Sequence, residues 1–177
     1  VQRGPVSITQ ATEKGTLYTL DEIANIADLA KSYGLPVHMD GARFANAIAA
    51  LGCTPAEMTW RAGVDALSFG GTKNGLMGVE AVVLFNPEKA WELELRRKRG
   101  AHLFSKHRYL AAQMDAYLAD DLWLDLARRS NAAASELAGG LQSIPGADLL
   151  FPVEANILFP RFPRALHRRL HEAGAQY

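Results

Sequence analysis

A single cysteine, Cys53, stands in the 177 residues, so no internal disulfide can staple the fold, and the chain fits a reducing, cytoplasmic compartment. Cys53 itself reads as a small, half-buried residue near a helix start. Charge of one sign is missing too, since 19 basic residues balance 19 acidic ones. That removes the electrostatic argument for nucleic acid or an anionic membrane as a main partner. No apolar run approaches the roughly 20 residues of a bilayer span, and no signal-peptide pattern is present. Internal repeats and low-complexity tracts are absent. The first residue is Val1 rather than methionine, which carries the expectation that the chain is a piece of something longer or is processed.

What is there is apolar: 49% of the residues, enough for a proper core. The length suits one domain, or a large domain with part of a smaller one. Val6-Ser7-Ile8-Thr9 reads as a short strand, followed by the polar run Gln10-Ala11-Thr12-Glu13. Thr19-Leu20-Asp21-Glu22 is a capping box; the helix behind it carries Ile23, Ile26, Ala27 and Ala30 at helical spacing and stops at Gly34. A strand over 35–39 completes a βαβ unit of a parallel sheet. A helix over 42–51 follows, then a second capping box, Thr54-Pro55-Ala56-Glu57, with Pro55 at the first helical position. Strands are expected over 64–69 and 80–85, the latter apolar as suits a strand covered on both faces. Helices over 88–99, 109–118 and 122–141 come next, the last two joined at Asp120-Asp121. Strands over 147–150 and 155–159 and a helix over 163–173 close the chain.

The prediction is an α/β fold, a mostly parallel sheet with flanking helices over 1–135, followed by part of a small α+β domain over 136–177. The boundary falls in the long helix, near residues 128–142. Trp60, Trp91 and Trp123 lie in helical stretches, where packing is their expected role. The basic run Arg96-Arg97-Lys98-Arg99 reads as a solvated helix end with favourable dipole charge. The other reading, with Lys106, His107 and Arg108 close behind, is an anion or subunit contact.

Two segments carry chemistry. Ser68-Phe69-Gly70-Gly71-Thr72-Lys73-Asn74-Gly75-Leu76-Met77-Gly78 places one lysine in a turn with four glycines at the end of a strand. Glycine lets backbone approach a ligand closely, and a lysine desolvated in such a turn becomes a nucleophile. The same segment also reads as an ordinary loop with a solvated lysine. The second segment is His38-Met39-Asp40-Gly41-Ala42-Arg43, where a strand ends and a helix begins. Residues two apart on a strand share a face, so His38 and Asp40 point the same way. Ligand crevices of open α/β sheets lie outside such strand ends. Asp40 with Arg43 suits a polar ligand, or equally a helix N-cap beside a surface arginine.

With both motifs in one chain, the sequence resembles the low-specificity threonine aldolases, in the β-eliminating-lyase group of fold-type-I pyridoxal-phosphate enzymes. The resemblance runs from about Val6 to the C-terminus. It implies that Lys73 carries pyridoxal 5'-phosphate as a Schiff base, and that Asp40 pairs with the protonated pyridine nitrogen. Arg43 then lies against anionic oxygens, best the substrate carboxylate, and His38 beside the ring or satisfied within the structure. Lys106 or Arg108 could reach a site across a subunit interface. No metal ligand is assigned. The implied reaction is cleavage of β-hydroxy-α-amino acids such as threonine to glycine plus an aldehyde, by a homodimer or homotetramer acting on a small-molecule substrate. An aminotransferase, a β-lyase or a non-catalytic α/β module are the alternatives. Relatives are roughly twice as long; their phosphate-binding turn would lie upstream of Val1 and a second substrate arginine beyond Tyr177. The chain by itself is therefore expected to be inactive unless another chain supplies the rest.

Overall fold

Alternation along three strands sets the sheet and decides which face meets the core. The structure, a computed structural model, describes residues 3–103 and 105–176. In β1 (Val6–Thr9) Ile8 is buried, while Ser7 and Thr9 point to the other face. In β2 (Val37–Gly41) Val37 and Met39 are buried, with His38 and Asp40 opposite. In β3 (Ala66–Gly70) Leu67 and Phe69 go inward and Ser68 joins the polar side. These three strands run parallel in the order β1-β2-β3, and β4 (Glu80–Leu84) adds antiparallel to β3 at the edge. Thr9 pairs with Asp40, and Asp40 with Ser68, so the three parallel strands end level with one another.

Helices cover the apolar face. The Thr19 hydroxyl accepts from the Glu22 N–H at 3.2 Å and the Glu22 carboxylate accepts from the Thr19 N–H at 2.8 Å, which opens α1 (Leu20–Ser32). Its Ile23, Ala27 and Ala30 are buried. Next comes α2 (Phe44–Leu51), buried along Phe44, Ala45, Ala47 and Ile48. The second capping box holds as expected, but it starts only the single turn α3 (Pro55–Met58). A basic helix, α4 (Ala90–Arg99), has no fully buried residue and carries the exposed Glu92–Arg96 ion pair, with Leu93 and Arg97 half-buried. Then α5 (Arg108–Leu118) meets α6 (Leu122–Gln142) at a corner where Asp120 and Asp121 both take positive φ. From α2, Asn46 Nδ2 donates to Ser130 Oγ and Asn131 Oδ1 of α6, both at 2.9 Å. Beneath β3, Phe44, Phe69, Tyr117 and Trp123 form an aromatic cluster, with Phe69 edge-on to Phe44 at 5.7 Å and to Trp123 at 5.8 Å. Each such pair contributes roughly 0.5–1.5 kcal/mol beyond the area it buries.

Beyond α6 the chain makes a two-residue pairing of β5 (Asp148–Leu149) with β6 (Pro160–Arg161), then α7 (Arg164–Glu172). This segment touches the β1 end of the molecule. Glu154 Oε2 accepts from the Leu17 N–H at 2.7 Å, and Lys14 Nζ lies 5.0 Å from the centroid of the Phe151 ring. Among the described residues no helix is long and apolar enough to cross a membrane.

Four expectations are corrected. The strand expected over 80–85 is not covered on both faces: β4 is an edge strand, with Val82 57% and Val83 36% exposed. Its apolar composition reports burial only where neighbours exist to cover it. No strand forms over 155–159; the pairing falls at Pro160–Arg161, while Ala155 is buried in irregular backbone. Trp123 packs in the core, but Trp60 and Trp91 are 52% and 69% exposed. The strands expected over 35–39 and 64–69 begin two residues later, at Val37 and Ala66. The Asp65 carboxylate accepts from the Val37 N–H at 2.8 Å just before β3 starts.

Candidate active site

The polar face of the sheet carries a hydroxyl–imidazole stripe that runs across all three parallel strands. His38 sits in the middle, its Nδ1 2.8 Å from Ser7 Oγ and its Nε2 2.9 Å from Ser68 Oγ. A serine hydroxyl both donates and accepts, so each can meet the ring nitrogen it faces. Both ring nitrogens are thereby satisfied, and His38 pins β2 to its neighbours on either side.

Asp40 stands two residues further on the same face, at the level ends of the strands. Its Oδ1 accepts from the Ala42 N–H at 3.0 Å, which turns the chain sharply out of β2. Asp40 is not a helix cap: Arg43 holds the N-cap position of α2, with no side-chain cap bond. The Arg43 side chain is half-buried, its Nε is buried without a hydrogen-bond partner among the described residues, and that burial lowers its pKa. A cation with an unused, desolvated donor is prepared for an anion.

The lysine turn reaches the same place from β3. Gly70 ends that strand against the turn after β2: a Cβ built on Gly70 meets the Ala42 Cα and carbonyl oxygen at 2.7 Å. Only glycine permits this backbone-on-backbone contact, and it places the Asp40–Arg43 turn directly beside the turn bearing Lys73. Thr72–Asn74 makes one 3₁₀ turn, Lys73 is exposed, and Gly75 at φ +112° continues the chain where other residues are strained.

A third turn, after β1, contributes Glu13. Its Oε1 accepts from Thr9 Oγ1 at 2.9 Å, and Thr9 is the register partner of Asp40. The Glu13 carboxyl is held below the ordinary 4.5 by a hydrogen bond from its own backbone and by the Thr9 hydroxyl; the positive charge of Lys73 adds to this, and slight desolvation opposes it.

Asp40, Arg43 and Lys73 are thus carried to one end of one sheet, with His38 beneath them. Lys106 and Arg108 are not tied to it: both are exposed near the start of α5, and the Arg108 guanidinium lies over the Tyr109 ring at 4.9 Å. The motifs gave no role to Ser7, Thr9, Glu13, Ser68 or Asn74. Alternation of hydroxyls with apolar residues in β1 was the available signal for Ser7 and Thr9. Glu13 carried none beyond membership of a polar run.

A family model described as beta-eliminating lyase matches residues 2–162. The chain is 51% identical over 172 residues to the low specificity L-threonine aldolase of Pseudomonas aeruginosa, covering 97% of this chain and 50% of that protein. It is 46% identical over 172 residues to the low specificity L-threonine aldolase of Pseudomonas sp. strain NCIMB 10558, with the same coverage. Among solved structures, threonine aldolase of Leishmania major superposes with a TM-score of 0.83 at 31% identity, over 96% of this chain and 49% of that one. The chain spans about half the length of the curated relatives it matches.

Proposed function

The chain belongs to the beta-eliminating lyase family, and on that footing we propose that it forms part of a pyridoxal-phosphate-dependent carbon–carbon lyase. The reaction is aldol cleavage of a β-hydroxy-α-amino acid such as threonine to glycine plus an aldehyde. One observation carries this reading: Asp40, Arg43 and Lys73 leave adjacent strand ends whose turns are in backbone contact at Gly70 and Ala42. The residues present fit the cofactor. Arg43 has a desolvated Nε in need of an acceptor, and only one described hydrogen bond reaches the Asp40 carboxylate.

Pyridoxal phosphate, when bound, supplies the electron sink for the pair of electrons left on Cα, and the sink is deep while its ring nitrogen stays protonated. Asp40 would keep that proton on the ring nitrogen, its ionised carboxylate pairing with the positive charge. A carboxylate within a few ångströms shifts such an equilibrium by about one to three units, which is about ten- to a thousandfold in population. Lys73 offers the amine for covalent attachment at Nζ. Arg43 binds and orients an anionic oxygen, best the carboxylate of the amino acid. His38 keeps β2, and with it Asp40, in register through its two serines. In this reading residues 1–135 carry the site and 136–177 begin a smaller unit. The protein works in the cytoplasm as a homo-oligomer.

The test is product analysis with threonine and pyridoxal phosphate, on protein completed by the segments that its relatives carry beyond the matched half. Glycine and acetaldehyde in equal amounts support cleavage. A keto acid formed with transfer of the amino group supports an aminotransferase, and release of ammonia supports a β-lyase. An absence of any borohydride-trapped adduct at Lys73 overturns the site itself.

A further inference from the structure

Lys73 sits in a turn whose main-chain to main-chain bonds, among the described residues, close only on itself and on the entry to β4. The Leu76 N–H donates to the Gly71 carbonyl and the Gly71 N–H to the Val79 carbonyl, both at 3.1 Å. Gly70, Gly71, Gly75 and Gly78 surround it, and glycine loses more conformational freedom on ordering than any other residue. Thr72, Lys73 and Gly75 are all exposed, whereas Asn74 between them is buried. Its side-chain amide leaves the turn and enters the corner where α5 meets α6. Asn74 Nδ2 donates one hydrogen to Tyr117 Oη at 2.6 Å and the other to the Trp123 carbonyl at 2.8 Å. Tyr117 and Trp123 are themselves buried in the aromatic cluster with Phe69, the residue preceding Gly70. A lesser tie follows four residues after the lysine, where the Met77 N–H donates to Gln113 Oε1 of α5 at 3.0 Å.

We propose that Asn74 is the positioning residue of the lysine turn, and that its two hydrogen bonds to the α5–α6 corner hold Lys73 facing the Asp40 side of the sheet end. This rests on the reading of Lys73 as the cofactor-bearing amine. The chemistry of the position is specific. Both acceptors, a phenol oxygen and a main-chain carbonyl, need a neutral two-hydrogen donor, and asparagine supplies one at this reach. An aspartate of the same shape donates nothing and turns a charge toward the carbonyl. A buried amide that loses its partners is costly, so the turn stays docked rather than swinging on its glycines. The consequence for chemistry is distance: reacting atoms need an approach of about 3–3.5 Å, and a misplacement of about 1 Å costs on the order of a hundredfold.

The experiment measures where pyridoxal 5'-phosphate attaches. The full chain is incubated with the cofactor, reduced with borohydride, digested, and the modified lysines are quantified by mass spectrometry. Lys14 and Lys89, both exposed, serve as internal controls. The wild-type chain is expected to favour Lys73 over these controls. Asn74→Asp and Asn74→Ala are expected to lower trapping at Lys73 at least tenfold, with the controls unchanged. Tyr117→Phe, which keeps the ring in the core and deletes one acceptor, is expected to lower it two- to fivefold and to add nothing once Asn74 is replaced. Circular dichroism identifies any variant that fails to fold; should both Asn74 variants fail, Tyr117→Phe decides alone. Unchanged preference for Lys73 in the folded variants overturns the positioning role of Asn74. Equal modification of Lys73 and the controls in the wild-type chain overturns instead the reading of Lys73, so the two failures are distinguishable.

Discussion

Asp40 and Gly70 do opposite work on the same few ångströms of space. Asp40 supplies charge, and its loss should spare attachment at Lys73 while removing turnover. Asp40→Ala is expected to retain the trapped adduct and to lower kcat by ten- to a thousandfold, the range one carboxylate commands over a neighbouring ring nitrogen; activity equal to the parent's contradicts that assignment. Gly70 supplies absence. Gly70→Ala drives a methyl to 2.7 Å from the Ala42 backbone, so the cost is overpacking of about 1–3 kcal/mol. Urea denaturation should show it as a lower midpoint with unchanged slope. At this scale the placement of Asp40, Arg43 and Lys73 at the ends of strands was legible, because a polar motif follows each apolar run in the sequence. Their supports were not. Ser7 meets His38 and Asn74 meets Tyr117 only through the fold, and no local pattern announces such pairs.

Among the elements, those governed by neighbours in sequence were the ones that could be read. Both capping boxes, at Thr19 and at Thr54, form with reciprocal bonds, since every participant lies within three residues. Glu22 and Glu57 have carboxyls lowered from 4.5, the Thr19 backbone N–H leading for Glu22 and the Thr54 hydroxyl for Glu57. A carboxyl lowered in the folded state stabilises above its unfolded value and loses that contribution as pH falls through the folded one. Thr19→Ala removes the cap hydroxyl and should lower stability by about 1 kcal/mol at neutral pH; the part of that loss owed to the hydroxyl bond to the Glu22 carboxylate fades on acidification below 4.5, while the Thr19 backbone N–H bond remains, as followed by chemical denaturation. A deficit independent of pH would separate the cap from Glu22. The misread elements depend on partners distant in sequence. The apolar run of β4 implied cover that the described residues do not provide, and the pairing expected over 155–159 moved to Pro160–Arg161, where Arg161 meets Asp148 at 2.7 Å.

Across the described residues, helices cover one face of the sheet and leave the other open. Helices bury the apolar side of the sheet, whereas parallel sheets ordinarily have both faces covered. Here the stripe of Ser7, Thr9, His38, Asp40 and Ser68 is half-buried at most. At the edge, β4 offers exposed valines and, among the described residues, an outer side that pairs with no strand, a template for self-association. Val82→Lys is expected to raise the concentration at which the chain begins to associate, measured by light scattering, without changing its circular dichroism. An unchanged threshold would place the sticking surface elsewhere.

The seam between Gly70 and Ala42 bears on how the site fails with heat. With the two loops seated main chain on main chain at their bases and the lysine turn docked through Asn74, the jaws that carry the carboxylate and the amine belong to the sheet's own rigid body. Warming should leave their spacing intact until the strands themselves melt. Loss of cofactor capture at Lys73 should then coincide with the global transition instead of running ahead of it.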